Sequence, residues 1–449
     1  MSNFASMSPF SLPQSKYGLD GWFCAGVAVL AALGLVMVAS ASVATGEKLG
    51  GSSLFFFWRQ LLFFLLGVAT CVGLMCVTTE ALQRHRWLVL GGCFVLLVLV
   101  TTMGVTVNGA KRWLDLGVFR LQVSEPVRLG FIVWLAGHLV KRQMEVQSTL
   151  FGFLNPFLFL GLVSIFFLIG RDLGATVILA AVTLMMLFLA GARIRYITCI
   201  GMILAGILVA LIKYEPYRVA RVFSFTNPWK DALGSGYQLS QSLIAVGRGE
   251  VWGVGLGNSV QKLGYLPETH TDFILAIYGE EFGLVGIAVM IALFALVVWR
   301  GFVIGRVAEN LDRRFAAYLC YGLAGWLGLQ ALINMGVNLG ALPTKGLTLP
   351  LISYGGSSLI TVSAMIGLML RVDYENRAAL ALLPRAKREK IVGRRTWDAG
   401  GEGAQPLAEP LGHGMLGWLN KLKGGLGSVS WLRPTSLVLP LTRRAERRP

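Results

Sequence analysis

In the stretch Leu266-Pro-Glu-Thr-His-Thr-Asp-Phe-Ile-Leu, Glu268, His270 and Asp272 alternate just before a long apolar run. Three oxygen or nitrogen donors at every second position share one face of an extended chain, a pattern suited to proton transfer or to holding a metal ion. Asp272 also immediately precedes Phe-Ile-Leu, where a carboxylate bonds the free amides that open a helix. Capping and catalysis both fit it. Glu280 and Glu281, adjacent in an apolar stretch, point about 100° apart on a helix, so paired acid and base work by both is not expected.

Other ionisable residues gather at the same ends of the apolar runs: Lys111, Arg112, Asp115, Glu125, Arg128, Arg171 and Asp172. Charge at membrane depth is costly and marks function by default, so a charged pocket is expected. Plain helix starts compete with that reading. Ser124-Glu125-Pro126 suits an N-cap, a first-turn carboxylate and an early proline, and Arg171-Asp172 suits a turn plus a cap. The sequence contains no phosphate-binding Gly-x-x-x-x-Gly-Lys-Ser/Thr loop, dinucleotide fingerprint, serine elbow or His-Glu-x-x-His, and no two aspartates stand two apart. No nucleotide cofactor is therefore expected.

These residues need a scaffold, and composition defines it. Of 449 residues, 55% are hydrophobic and 14% charged, against roughly 25% charged in soluble domains. That excludes a cytosolic enzyme and a disordered tether, and predicts an all-α polytopic membrane protein. About ten spans are expected, at Trp22–Ala44, Leu61–Cys76, Trp87–Val107, Pro126–Val140, Phe151–Gly170, Leu173–Ala190, Tyr196–Ile212, Phe282–Val303, Phe315–Val337 and Leu359–Leu370. Arg84 with Arg86, Lys141 with Arg142, Arg193 with Arg195, and Arg306 with Arg313 and Arg314 fall on alternate loops. The bias of basic residues to cytoplasmic loops then places both termini in the cytoplasm.

Three domains follow: a cytoplasmic segment at 1–21, a transmembrane domain at 22–371 and a basic cytoplasmic tail at 372–449, largely disordered, with 14 basic and 7 acidic residues. The net charge of +17 could belong to a nucleic-acid binder or a membrane protein alike, but the tail's own excess of basic residues suits membrane lipids of an anionic cytoplasmic leaflet, and no nucleic-acid partner is expected. Within the tail, Met415 to Lys423 has a weak basic amphipathic pattern. A large extracytoplasmic loop, 213–281, separates the seventh and eighth spans, and its Tyr237–Val246 stretch is amphipathic, suited to the membrane surface or to the bundle. The run Leu347–Leu370 is broken by Ser353-Tyr-Gly-Gly-Ser-Ser, which reads as a re-entrant element facing a polar cavity. All six cysteines lie in or beside apolar runs and read as small hydrophobes.

Five ordered motifs then point to a family: Asn108-Gly-Ala-Lys-Arg-Trp-Leu, Gln122-Val-Ser-Glu, Gly236-Tyr-Gln-Leu-Ser-Gln-Ser-Leu-Ile-Ala, Leu266-Pro-Glu-Thr-His-Thr-Asp-Phe-Ile and Gly346-Leu-Thr-Leu-Pro-Leu-Ile-Ser-Tyr-Gly-Gly-Ser-Ser. Between Trp22 and Arg371 the chain resembles the SEDS family (shape, elongation, division and sporulation), more its division branch than its elongation branch. Two motifs depart from the family pattern. Val123, Pro126 and Arg128 stand in and after a usual Gln-Pro-Ser-Glu, and Gly170-Arg171-Asp172-Leu173-Gly174 replaces Gln-Pro-Asp-Leu-Gly.

The resemblance implies an inverting glycosyltransferase that polymerises lipid II at the outer face of the cytoplasmic membrane, at the septum. Its companions would be a class B penicillin-binding protein and other divisome membrane proteins. The family's essential aspartate maps onto Asp272, the expected general base, whose apolar neighbours Phe273 and Ile274 favour a raised pKa. Lys111, Arg112, Arg248 and Lys262 are candidates for the diphosphate, with a divalent cation, Mg2+ or Mn2+, shared with the substrate. Trp113 could bound the cleft or anchor at the interface, and Glu125, Arg128, Asp172, Glu268 and His270 complete the expected substrate site. The other readings are a lipid II flippase, disfavoured by one-sided charge and the lack of clear inverted repeats, and an elongation-type paralogue.

Overall fold

The computed structural model describes residues 18–384 except Asn108 and Val118, together with Arg388 and Ile391. In chain order the helices begin with α1 (Gly21–Ala41), α2 (Val43–Gly50), α3 (Phe55–Met75), α4 (Thr79–Arg84) and α5 (Arg86–Met103). Three short strands follow, β1 (Val105–Val107), β2 (Ala110–Asp115) and β3 (Arg120–Gln122), paired antiparallel in that order. Then come α6 (Ser124–Lys141), α7 (Gln143–Ser148), α8 (Leu150–Ile169), α9 (Leu173–Leu189) and α10 (Ile194–Tyr214). After α11 (Pro216–Thr226) and α12 (Tyr237–Arg248), the bundle closes with α13 (Ile274–Asn310), α14 (Arg314–Asn338) and α15 (Gly356–Ala381).

The chain is an all-α, multi-pass membrane protein. Among the described residues, eight helices are long and apolar enough to cross a bilayer: α1, α3, α5, α8, α10, α13, α14 and α15. The 17-residue α9 and the largely buried α6 occupy the two remaining expected spans. Burial orders the bundle. α14 and α15 are covered along most of their length, whereas α10 has no buried residue at all. Close approach of backbones centres the bundle on α15 and on the segment before it. A Cβ at Gly367 would lie 2.4 Å from the Cys71 carbonyl on α3, and one at Gly34 would lie 2.2 Å from the Leu351 carbonyl. Only glycine permits these contacts.

Three features depart from the expected layout. Val105–Val107, placed in the third span, is a strand, because Gly104 ends α5 and the β-branched Val-Thr-Val that follows pairs with β2. α13 begins at Ile274, eight residues before the expected eighth span, and breaks at Gly283, whose φ of 67° and ψ of −165° separate two helical pieces. At the other boundary, α15 runs ten residues past Arg371, with Val372, Asp373, Tyr374 and Asn376 buried, so the bundle does not stop there. The weakly amphipathic basic stretch around Met415 lies outside the described residues.

The long segment between α10 and α13 packs on the bundle. α12 buries Leu239, Ser240, Ser242 and Ala245, and the Ser242 hydroxyl donates to the Asn338 carbonyl at 2.8 Å, which settles the Tyr237–Val246 stretch on protein. The broken stretch before α15 is re-entrant in the sense expected. Leu347, Leu349, Leu351 and Ile352 are buried, and the Gln330 and Asn334 amides donate to the Thr348 and Leu347 carbonyls. Protein thus satisfies backbone that lipid could not.

Two of the basic loop residues bond to other segments. Arg313 bonds Thr79, Glu375 and Asn376, while Arg314 bonds Gln143 and Asp312. Arg300 pairs with Asp20, the residue that caps α1.

Candidate functional site

At the end of the bundle that carries the sheet, a cavity of about 1190 Å³ is enclosed by β2, β3, the start of α9, α11, the turn before α13 and the re-entrant segment. It holds Asp272 together with Arg59, Arg112, Arg120, Arg171, Arg221 and Lys345. Small-ligand pockets run to roughly 1,000 Å³, so this one suits a large polar head group.

Asp272 is held by its backbone and free at its side chain. Its carbonyl accepts from the Asn338 amide at 2.9 Å and from the Asn334 amide at 3.0 Å. Among the described residues, no hydrogen bond occupies its carboxylate. Burial pushes that carboxyl up to about 7, with Glu268 adding to the rise and Arg112 and Arg221 opposing it. Helix capping, which the sequence left open, is not its role. Phe273 is the N-cap residue of α13, and the buried amide of Ala276 donates to Asn338 Oδ1 at 3.1 Å and to the Phe273 carbonyl at 3.0 Å.

Of the expected site residues, the cavity also takes Arg112, Trp113, Glu125, Asp172 and Glu268. Arg112 brings a buried Nε with no protein partner, a donor available to an anion. Asp172 caps α9 through the Ala175 amide at 3.0 Å and accepts from Ser124 Oγ at 2.8 Å. Ser124 is therefore not the cap of α6 that its sequence context suggested; Val123 takes that position. Glu268 has a φ of 56° and accepts from the Thr271 hydroxyl at 2.7 Å.

Five expected site residues sit elsewhere, each for a definable reason. Lys111 reaches the C-terminal turn of α5, donating to the Thr101 carbonyl at 2.7 Å and the Thr102 carbonyl at 3.1 Å, where helix carbonyls attract a cation. Arg248 pairs with Glu280 at 2.6 Å, and Lys262 with Glu281 at 2.9 Å. These bonds tie the end of α12 and the loop after it to α13, and neither cation lines the cavity. Arg128 is buried against Glu125 and lies 4.7 Å from the Trp326 ring centroid, with Nη1 donating to Gln330 at 3.2 Å. His270 lies behind the cavity wall, its ring 4.5 Å from that of Phe56 and 5.6 Å from that of Tyr354, and burial lowers its pKa so that it is neutral.

The cations that replace them are mostly ones the sequence did not single out. Arg59 follows an unbroken aromatic run, Phe55-Phe-Phe-Trp, and is the one charge in α3. Arg221 lies on α11 and donates to the Thr344 carbonyl at 3.2 Å. Lys345 lies in the Pro-Thr-Lys-Gly stretch just ahead of the last family motif. A lone charge in an aromatic run, and a lysine next to a glycine-bounded break, were the available signals.

Divalent cations such as Mg2+ and Ca2+ require six or more oxygen ligands. Glu125 is paired with Arg128, Asp115 with Arg120, and Asp172 is committed to capping. Among the described residues, no three His, Cys, Asp or Glu side chains gather as ligands. The donor set does not make a metal site of its own.

A bundle of membrane-crossing helices with a charge-lined cleft at one end, an unbonded aspartate carboxylate and several guanidinium groups defines the class: a multi-pass membrane protein built to handle an anionic head group. A model of the cell cycle protein family that groups FtsW, RodA and SpoVE matches residues 22–378, and the chain belongs to that family. It is 49% identical over 369 residues to a probable peptidoglycan glycosyltransferase FtsW of Nitrosococcus halophilus, covering 82% of this chain and 94% of that one. Its identity to the protein of the same description from Escherichia coli O157:H7 is 47% over 349 residues, covering 78% and 84%. Among solved structures it resembles a chain from a study of how a peptidoglycan synthase complex coordinates polymerization and crosslinking, with a TM-score of 0.66, 28% identity, and 80% and 98% coverage. The rod shape determining protein RodA of Thermus thermophilus gives a TM-score of 0.60 at 27% identity, with the same coverage.

Proposed function

We propose that this chain is a division-type peptidoglycan glycosyltransferase that polymerises lipid II into glycan strands, with Asp272 as general base. The observation that carries this reading is the Asp272 carboxyl: unbonded, on the cavity, poised near neutral pH and flanked by Arg112 and Arg221. A base is most effective when its pKa lies near the working pH.

In the reaction, Asp272 takes the proton of the acceptor sugar hydroxyl as that oxygen attacks the anomeric carbon of the donor. The bond from that carbon to the diphosphate breaks, configuration inverts, and undecaprenyl diphosphate leaves. Arg112, Arg171, Arg221 and Lys345, spread around the cavity, supply the positive charge that the departing diphosphate needs. A Mg2+ or Mn2+ arriving on the diphosphate belongs to the substrate, and chelator-insensitive polymerisation would show that none is required.

The alternating basic loops support cytoplasmic termini and an outward cavity, where a donor whose lipid stays in the bilayer presents its head group. The similarity to a chain of a synthase complex supports a class B penicillin-binding protein as partner, and the match to FtsW-described relatives supports a septal location. The test is reconstitution with that partner in vesicles and labelled lipid II supplied outside. Polymer from the wild type and none from folded Asp272→Ala is expected. Head-group translocation without polymer would support transport instead.

A further inference from the structure

Two asparagines one turn apart on α14 are fully buried, Asn334 at 1% and Asn338 at 0% exposure. Residues four apart share a helix face, and leucine there would avoid the cost of burying an amide. The amides instead direct most of their bonds to the turn that bears Asp272. Asn334 Nδ2 donates to the carbonyls of Asp272 and Leu347, and Asn338 Nδ2 donates to those of Asp272 and Asn334. Both lone pairs of the Asp272 carbonyl are thus engaged. Asn338 Oδ1 meets the Ala276 amide in the first turn of α13, an amide shared with the Phe273 carbonyl at 3.0 Å.

That last bond has a chemical consequence. A helix N-terminus attracts the nearest carboxylate, and the nearest here is Asp272, just before the Phe273 cap. With the Asp272 carbonyl and the Ala276 amide both held from α14, the turn is fixed with its carboxylate in the cavity and off the helix amides. We propose that Asn338, supported by Asn334, is a positioning residue for the base: it fixes the Asp272 backbone and the first turn of α13, and so holds the carboxylate in the cavity. This rests on the reading of Asp272 as the base.

The groups facing Asp272 are Glu268 from its own turn, Arg112 from β2, Arg221 from α11 and Lys345 of the re-entrant segment, while α14 presents the neutral amides of Asn334 and Asn338. Two substitutions at 338 therefore act in opposite directions. Asn338→Ala frees the Asp272 carbonyl and the first turn of α13, so water reaches the carboxylate, the effect of burial weakens and its pKa falls. Asn338→Asp keeps an acceptor for Ala276 but adds a negative charge beside the base, so its pKa rises.

Initial rates of polymerisation by the reconstituted protein with its partner, measured between pH 5.5 and 8.5, test this. The expected result is an acidic limb displaced by at least about half a pH unit downward in Asn338→Ala and upward in Asn338→Asp. In both, kcat falls about tenfold or more while KM for lipid II changes less than about twofold. A merely structural role would lower thermal stability without splitting the limbs. Unmoved limbs in both folded variants would overturn the proposal.

Hydrogen exchange keeps this separate from the base assignment. If Asp272→Asn polymerises like wild type, the base reading fails, and the hold of Asn338 on the turn is judged by amide exchange across residues 273–277. Faster exchange there in Asn338→Ala upholds that hold. Unchanged exchange removes it.

Discussion

Lys262 Nζ donates to Glu281 Oε1 at 2.9 Å with the two side chains 7% and 1% exposed, so a full ion pair is sealed between the loop after α12 and the first piece of α13. Ser40 of α1 joins it, donating to Glu281 at 2.7 Å and accepting from Lys262 at 3.1 Å. Removing one member of such a pair leaves an uncompensated charge.

Lys262→Ala is accordingly expected to destabilise the protein by about 3 to 5 kcal/mol, read as a large fall in detergent melting temperature. Lys262→Met with Glu281→Leu should recover much of that loss. A stable Lys262→Ala with only a raised KM for lipid II would mean that this lysine serves the substrate instead.

The raised Asp272 pKa sets a pH dependence with a definite sign. The carboxylate is the working form, so with a pKa of about 7 the active fraction falls about tenfold for each unit of pH below it. Polymerisation should therefore drop steeply between pH 7 and 6, and the limb should move to higher pH in Arg112→Ala, which removes an opposing positive charge. Because the folded pKa lies above the ordinary 3.8, the folded state holds this proton more tightly. Its contribution to stability is thus lost as pH rises from about 4 to about 7. Asp272→Asn should flatten that part of the stability curve, a change visible by thermal denaturation at several pH values.

The cavity cations should divide by role. Arg112 and Arg171 line the cavity, and truncating either to alanine should lower kcat by about 10² or more if it meets charge that develops on the leaving group. Arg248→Ala should leave kcat nearly unchanged, since its side chain is half exposed and serves Glu280. Equal losses of kcat in Arg248→Ala and Arg112→Ala would contradict the placement described.

Gly283→Ala should be strongly destabilising. Its φ of 67° is strained for any other residue, and a Cβ there would stand 2.4 Å from the Gly253 amide nitrogen. Gly161→Ala in α8, where a Cβ meets nothing within 4 Å, is the matched control and should be neutral or mildly stabilising. Melting temperatures of the two variants side by side decide this.

The spans were legible because a bilayer imposes a length and a composition on each crossing, and the broken stretch before α15 because glycine and serine interrupt an apolar run. The base was legible from its motif. What sequence could not convey was pairing. Arg248 and Lys262 looked available because their partners, Glu280 and Glu281, lie 32 and 19 positions further on and meet them only after the loop folds back. Lys111 looked like a ligand group because nothing in its neighbours announces that the end of α5 will receive it. The short sheet was missed for a different reason: Val-Thr-Val is apolar enough to pass as the end of a span, although the Asn108-Gly109 pair after it is a turn signal.

The interruption at Gly283 changes what Asp272 is mechanically attached to. By sequence it belongs to the helix that crosses the bilayer as Leu284–Asn310, yet the joint at Gly283 separates that rod from the nine residues leading back to it. Its anchor is α14, through two side-chain amides. The segment 250–255 splints the joint, bonding the Glu280 and Glu281 carbonyls on one side and the Leu284 and Val285 amides on the other, so the proton acceptor keeps station with the innermost part of the molecule.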